Sequence, residues 1–259
     1  MPSVRLTPVP GSPLLLLHRP RAGPILILAD LHLGLGGDER VGHGPPEASA
    51  HSMARSLLAS ARAARARRVV IAGDIKHPIL GTPRALRPVV FEFFAALLSE
   101  GLRVDVVLGN HDVGLVPYLP REVVVHPASG VVIESVGVFH GHRWPSDAVL
   151  RSGHLVAGHL HPGFRLAPSS DDAKGKQRCW VRVSFPRPGP APERVPRHAP
   201  IGAREMIVIP AFNPIAGTEA LNRRRPSPGR TFLFTRFLSR GAARAYLLDG
   251  TDLGKVPTR

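Results

Sequence analysis

The apolar positions of this chain fall in short runs separated by turn-rich punctuation. Pro24–Ala29 (PILILA), Arg68–Ala72 (RVVIA) and Arg103–Leu108 (RVDVVL) are rich in Val, Ile and Leu and have the length of buried strands. Between the first two, Met53, Leu57, Leu58 and several alanines recur at helical spacing, which predicts an amphipathic helix over Glu47–Ala66. A second is predicted over Ala85–Leu98. Strand, helix, strand, helix, strand is the order of an α/β layered fold with parallel neighbours. Beyond residue 120 the pattern changes. Glu122–Val125, Val131–Glu134, Gly137–His140, His154–Ala157, Cys179–Phe185 and Met206–Ile209 read as closely spaced strands, so a second sheet packed on the first is expected. Pro186–Pro200 reads as a proline-rich loop and Asn222–Arg230 as a basic, turn-rich stretch. No internal repeat is visible, and residues 1–259 are expected to form one domain.

Composition narrows the class. With 259 residues and 43% hydrophobic content the chain can bury a core, which excludes a fully disordered protein. The Leu14–Leu17 run is too short for a signal-peptide core, and no stretch approaches the roughly 18 apolar residues of a membrane helix. The single cysteine, Cys179, permits no internal disulfide, so a cytoplasmic location with no membrane partner is expected. The net charge of +15 is almost all arginine. It fits a polyanion-binding surface, and it equally fits a general Arg enrichment accompanying the many Ala, Gly and Pro residues.

The candidate chemistry sits where strands end. In α/β sheets, ligands bind beyond the carboxyl ends of the strands. PILILA runs into Asp30-Leu31-His32, RVVIA into Gly73-Asp74-Ile75-Lys76-His77, and RVDVVL into Gly109-Asn110-His111-Asp112. Two later strands run into His140-Gly141-His142 and Gly158-His159-Leu160-His161. Asp and His together suit first-row divalent metals. Asp-x-His and His-x-His place both side chains on one face if the chain there is extended, and a glycine before three of the clusters allows a tight turn or close backbone approach. An aspartate shared between two metals can hold them about 3.5–4 Å apart, the spacing that serves displacement at phosphorus. Of 13 histidines, seven fall in these clusters; His18, His43, His51, His126, His154 and His198 fall outside and are read as structural.

The ordered set DxH, GDxxH, GNHD, HGH and GHxH over residues 30–161 resembles the calcineurin-like metallophosphoesterase superfamily. The pieces ADLHLG (Ala29–Gly34), GDIKH (Gly73–His77) and PAFNPIAG (Pro210–Gly217) resemble, more narrowly, the archaeal-type ICC-like phosphoesterases, which are related to the ligase-associated DNA-damage-response nucleases. The resemblance implies an α/β fold, a four-layer α/β/β/α sandwich of two packed mixed β-sheets flanked by helices. It implies that Asp30, His32 and His161 bind one metal, that Asn110, His140 and His159 bind a second, and that Asp74 bridges both. His111 would protonate or stabilise the leaving oxygen, with Asp112 orienting its ring, and a metal-bridging hydroxide would be the nucleophile. His77 stands where many members have Asp and is read as a substrate contact or a support behind the ligands rather than a ligand, and His142 as a substrate contact or, equally, a structural residue. Lys76 is read as solvated by default, with phosphate binding as the other reading, and Asn213 as part of a rigid turn. Mixed nitrogen and oxygen ligation favours manganese, with iron or zinc as alternatives.

The function this implies is hydrolysis of phosphodiester bonds in a nucleic acid or nucleotide. Two alternatives stand beside it. A phosphomonoesterase or cyclic-nucleotide phosphodiesterase would use the same residues, because pocket shape separates these activities. A catalytically silent protein-binding scaffold of the same fold would be expected to have lost ligands, and here all are present.

Overall fold

The structure, a computed structural model, describes residues 4–36, 46–166, 175–186, 202–222, Phe237 and 241–257. Apart from Pro186 and Asn222, the proline-rich 186–200 loop and the basic 222–230 stretch lie outside the described residues.

Two mixed sheets form the frame. In the first, β1 (Arg5–Pro8), β2 (Leu15–Arg19), β3 (Ala22–Leu28), β4 (Arg68–Ala72), β5 (Arg103–Val107) and β6 (Val124–His126) lie in that spatial order. β1 to β3 are antiparallel neighbours, and β3 to β6 are parallel. The second sheet has nine strands. β13 (Glu219–Ala220), β10 (Pro162–Arg165), β11 (Lys176–Ser184), β12 (Glu205–Val208), β9 (His154–Ala157), β8 (Val136–Phe139) and β7 (Val131–Ile133) run across it in that order. β14 (Ala242–Leu247) pairs with β11, and β15 (Asp252–Lys255) pairs with β14.

Period-two alternation sorts each strand's side chains between layers. Leu26, Leu28, Val69, Ile71, Val104 and Val106 face α1 (Pro46–Ala64) and α2 (Leu86–Ser99), which meet them with Met53, Leu57, Val90, Phe93 and Phe94. Their neighbours Ile25, Ile27, Val70, Ala72 and Val107 point the other way, against Val136, Val138, Val156, Trp180 and Ile207 of the second sheet. The outer face of that sheet buries Leu155, Cys179, Val181, Met206 and Val208. Among the described residues it is covered by the one-turn helix α3 (Asp147–Leu150) and Phe237, where a fuller helical layer was expected. Cys179 is a core residue there, its thiol pushed up to about 12 by burial. No helix of the described residues is long and apolar enough to cross a membrane.

Three elements depart from the sequence reading. The Leu14–Leu17 run lies largely in β2, part of an N-terminal hairpin that extends the first sheet beyond β3. The strand expected over Glu122–Val125 is β6, and it joins the first sheet rather than the second. It pairs in parallel with β5, and His126 Nε2 reaches the buried Asp105 carboxylate at 2.8 Å. The two strands closest to the C-terminus, β14 and β15, extend the second sheet past the expected end.

Asp105 joins three strands of the first sheet. It is buried, takes two hydrogen bonds from Arg68 at 2.8 and 2.9 Å, and a third contact from His126. Burial alone would raise its carboxyl, but Arg68 and His126 hold it below the ordinary value. A depressed carboxylate stabilises the fold above the unfolded pKa of about 3.9, and that stability is lost as pH falls through the folded value. The urea midpoint of Asp105→Asn is therefore expected to lie well below wild type at pH 7. The gap should close as pH falls below the ordinary carboxylate value and through the lower folded one; a gap independent of pH would show that the carboxylate is not the stabilising species.

Candidate metal centre

All five expected clusters meet at one end of the sandwich, where β3, β4, β5, β8 and β9 finish. They do not meet by extended alternation. Asp30 (φ 61), His32 (φ 44), Asp74 (φ 54), His159 (φ 69) and His161 (φ 47) lie in the left-handed region, five of the eight non-glycine residues with positive φ among the described residues. That conformation is costly for residues with a Cβ and persists only where neighbours enforce it. The DxH and HxH pairs therefore converge through tight left-handed turns. The strand-end placement is as expected, and the local geometry is not.

Glycine makes the approach of these loops feasible. A Cβ on Gly109 would stand 2.2 Å from Asp74 Oδ1, and one on Gly73, itself at φ 87, would stand 2.4 Å from His140 Nδ1. Gly158 likewise lets its backbone pass Ala29 and the Asp30 carboxylate.

The converging atoms form two donor sets. Asp30, His32 and His161 form one, and Asp74, His140 and His159 the other, with the ligand atoms of each within 4.8 Å of one another. Asn110 Oδ1 joins the second, 3.2 Å from His140 Nε2. Asp74 Oδ2 lies between the sets, 3.3 Å from His140 Nε2 and 3.7 Å from His32 Nε2. His32, His77 and His111 form a third group. It lacks a carboxylate to balance a cation, and the His111 ring is engaged elsewhere, so it is the weakest of the three.

Tautomers are fixed from behind. His140 Nδ1 donates to the Ala72 carbonyl at 2.8 Å and His161 Nδ1 to the Gly217 carbonyl at 2.9 Å, which turns both Nε2 atoms into the centre. There they meet acceptors. His161 Nε2 stands 3.1 Å from His32 Nε2, and His140 Nε2 faces the Asp74 and Asn110 oxygens. Lone pairs gathered this closely repel unless a proton or a cation lies between them. Without a metal, burial works against a charged His140, but the Asp74 and Asp30 carboxylates outweigh it and lift the ring to about 9. Burial and the neighbouring His140 push His159 down to about 3, and burial pushes His32 down to about 4. Buried imidazoles held neutral beside carboxylates held ionised are a donor set suited to a first-row divalent cation.

The remaining expected residues are placed as follows. His111 is half-buried, with Nε2 3.8 Å from Asp74 Oδ2. Its Nδ1 contacts the His77 carbonyl, so that carbonyl, and not Asp112, sets the ring's tautomer. Asp112 is buried, and its carboxylate accepts from the backbone N–H groups of Gly109 (2.7 Å), Ile75 (2.8 Å) and Asp74 (3.0 Å). The expected ring-orienting role is thus corrected: its oxygens are taken up by the two loops that carry Asp74 and Asn110. His77 is exposed beside His111, the rings roughly parallel with centroids 5.7 Å apart. His142 is half-buried, its centroid 5.3 Å from that of His140.

Two residues near the site act differently from their sequence reading. Lys76 is fully buried rather than solvated, and its ammonium donates to the backbone carbonyls of Pro78, Ile79 and His111. It clamps the segments carrying His77 and His111. Asn213 is buried, donates to the Leu31 carbonyl at 2.9 Å and accepts from Ile215 N–H at 3.1 Å. Backbone bonds from Phe212 to Ala29 and from Asn213 to Asp30 complete a brace beneath the Asp30–His32 turn. Arg178, which the sequence reading passed over, holds that brace by donating to the Ala211 carbonyl at 2.9 Å.

No protein-family model and no curated protein matches the sequence. Among solved structures, that of nuclease MPE from Pseudomonas putida superposes with a TM-score of 0.55. The match covers 96% of this chain and 100% of that one at 18% identity. The likeness is one of fold. It spans both sheets, and it agrees with the two-sheet α/β sandwich described above.

The brace is testable. Asn213→Ala leaves the Leu31 carbonyl and Ile215 N–H without side-chain partners and is expected to cost about 1–3 kcal/mol. At roughly 2–4 °C per kcal/mol, the melting temperature should fall by several degrees. Metal retained after dialysis against a weak chelator should also fall, because the Leu31 anchor lies between two donor residues. Unchanged metal retention would show that the turn holds itself.

Proposed function

We propose that the chain is a metal-dependent phosphoesterase that hydrolyses phosphodiester bonds, with a nucleic acid or nucleotide as substrate. The observation that carries this reading is the position of Asp74 Oδ2 between two donor sets, 3.3 Å from His140 Nε2 and 3.7 Å from His32 Nε2. The fold it shares with a solved nuclease and the net charge of +15 favour a polyanionic substrate. Asp30, His32 and His161 would hold one cation, Asn110, His140 and His159 a second, and Asp74 both. When bound, such a pair of divalent cations supplies Lewis acidity toward phosphoryl oxygens and lowers the pKa of water. Manganese is the first choice, with iron or zinc as alternatives.

The chain's own groups supply orientation and a proton. The Ala72 and Gly217 carbonyls hold the His140 and His161 rings in the ligating tautomer. His111, its Nδ1 held at the His77 carbonyl, presents Nε2 to the centre. From there Nε2 would deliver a proton to the leaving oxygen as the bond to phosphorus breaks. His77 and His142 flank the two sets and would hydrogen-bond phosphate oxygens. Asp112 would act on this chemistry only through the loops it ties together.

Metal-reconstituted protein is expected to hydrolyse bis-p-nitrophenyl phosphate faster than p-nitrophenyl phosphate, and to cleave single-stranded or duplex DNA. Absence of all diester cleavage would overturn the reading, and a monoester preference would move it to a phosphomonoesterase. Asp74→Asn should remove both activity and bound metal, measured by elemental analysis. His111→Ala should keep near-normal metal content while turnover falls by about 10²–10⁴-fold; loss of metal there would show that His111 is itself a ligand.

A further inference from the structure

The two loop segments beside the centre that carry His77 and His111 bury little. His77 is exposed, Ile79 and Leu80 are 52% and 84% exposed, and Val113 is 56% exposed. Segments with so few buried apolar contacts sit at the mobile end of a fold unless polar bonds hold them. Yet His111 must keep Nε2 in one place, 3.8 Å from Asp74 Oδ2, to serve a single leaving oxygen. A misplacement of about 1 Å in a reacting group can cost on the order of 10²-fold in rate.

One buried ammonium joins the two segments. Lys76 is fully buried, and its Nζ donates to the Pro78, Ile79 and His111 carbonyls. An ammonium has three N–H donors and no acceptor, so three carbonyls exhaust it. The Asp112 and Asp74 carboxylates act on it as countercharges. The contact that sets the His111 ring runs from its Nδ1 to the His77 carbonyl. Both ends of that contact are tied to the same Nζ. At one end it holds the Pro78 and Ile79 carbonyls that follow His77, and at the other the carbonyl of His111 itself. The backbone N–H of His111 donates to Asp74 Oδ1 at 2.9 Å, which completes the hold. The ligand loops are secured by other means. Asp112 accepts from the N–H groups of Gly109, Ile75 and Asp74, and none of those bonds uses the lysine side chain.

We propose that Lys76 is the positioning residue for His111: its ammonium fixes the His77 carbonyl and the His111 backbone relative to one another, and with them the direction in which His111 Nε2 faces the centre. The inference rests on the phosphoesterase reading, in which His111 protonates the leaving oxygen. Lys76 is buried away from any substrate and acts only through that ring. Its loss frees the ring to turn while every metal donor stays in place, which separates turnover from metal binding. The loss of rate must also grow with the basicity of the leaving oxygen. p-Nitrophenolate departs with little help, whereas phenolate needs the proton as its bond to phosphorus breaks.

The test uses the full chain loaded with manganese and two diesters that differ only in leaving group, methyl p-nitrophenyl phosphate and methyl phenyl phosphate. Lys76→Met keeps an unbranched side chain of similar length and removes the donors. Its kcat on the phenyl ester is expected to fall about 10–100-fold and on the p-nitrophenyl ester less than about threefold. KM and bound metal, read by elemental analysis, should stay near wild type. Both rates come from one preparation, so their ratio does not depend on how much of the protein is folded. Should Lys76→Met not accumulate, Lys76→Gln, which restores an N–H donor, is measured in the same way and should move the ratio in the same direction. In a His111→Ala background, Lys76→Met should leave both rates within about twofold, because the ring it positions is already gone. A lysine that merely supports the fold would slow both esters equally and slow them again in the His111→Ala background. Either of those results, or loss of metal from the variant, would overturn the proposal. A wild type that hydrolyses neither ester would sink the phosphoesterase reading and this inference with it; an active wild type whose ester ratio Lys76→Met leaves unmoved would sink this inference alone.

Discussion

The centre depends on a backbone conformation that the chain would not adopt unaided. Asp30, His32, Asp74, His159 and His161 all lie at positive φ, and each such residue costs on the order of 1 kcal/mol or more. What holds them is local and polar. Asp112 gathers the N–H groups of Gly109, Asp74 and Ile75, Asn213 grips the Leu31 carbonyl, and His159 N–H donates to the Asp30 carboxylate at 3.0 Å. These bonds cross from loop to loop, so each turn is secured by the next. The sheets matter to the site chiefly because they deliver five loops to one place with an accuracy that lets such bonds form.

The same loops explain the electrostatics. Two ionised carboxylates and several buried imidazoles cannot be brought within 4 Å of one another by burial alone, since burial disfavours every charge involved. His140 and His161 are pushed toward protonation, by Asp74 and Asp30 for the first and by Asp30 for the second. Those protons stand where cations would stand. Exchanging one for the other keeps the charge balance that the loops were folded around, which is the usual linkage between metal affinity and ligand protonation.

Much of this was legible in the sequence, and the reasons divide cleanly. The three runs PILILA, RVVIA and RVDVVL show their strands because both faces of each are buried, so nearly every position is apolar. The donor clusters show because they follow those runs at once. What the sequence did not disclose is the sense of the local backbone: Asp-x-His reads the same whether extended or left-handed, and only the bonds from Asp112 and Asn213 decide it. For the same reason Asp112 was paired with its neighbour His111, when its partners lie mainly 37 and 38 residues away. Lys76 was read as solvated because an isolated lysine between apolar residues carries no sign of the three carbonyls that meet it in the fold. β6 was assigned to the wrong sheet because a three-residue strand has a pattern but no address; its pairing is set by β5 and by the reach of His126 to Asp105.

The unequal width of the two sheets leaves a cavity of about 280 Å³ between them, lined by Pro8, Pro10, Arg182 and Tyr246 among others. A buried indole N–H without an acceptor is a standing cost to the fold. The first sheet ends at β1 while β14 and β15 carry the second one further, and Trp180 stays buried there, with its indole N–H unmatched by an acceptor among the described residues. The strands that close the sandwich are thus separate from those that leave the gap. β3, β4, β8 and β9 bring the donor loops together, and β1, β11 and β14 leave a framed apolar space at the same end.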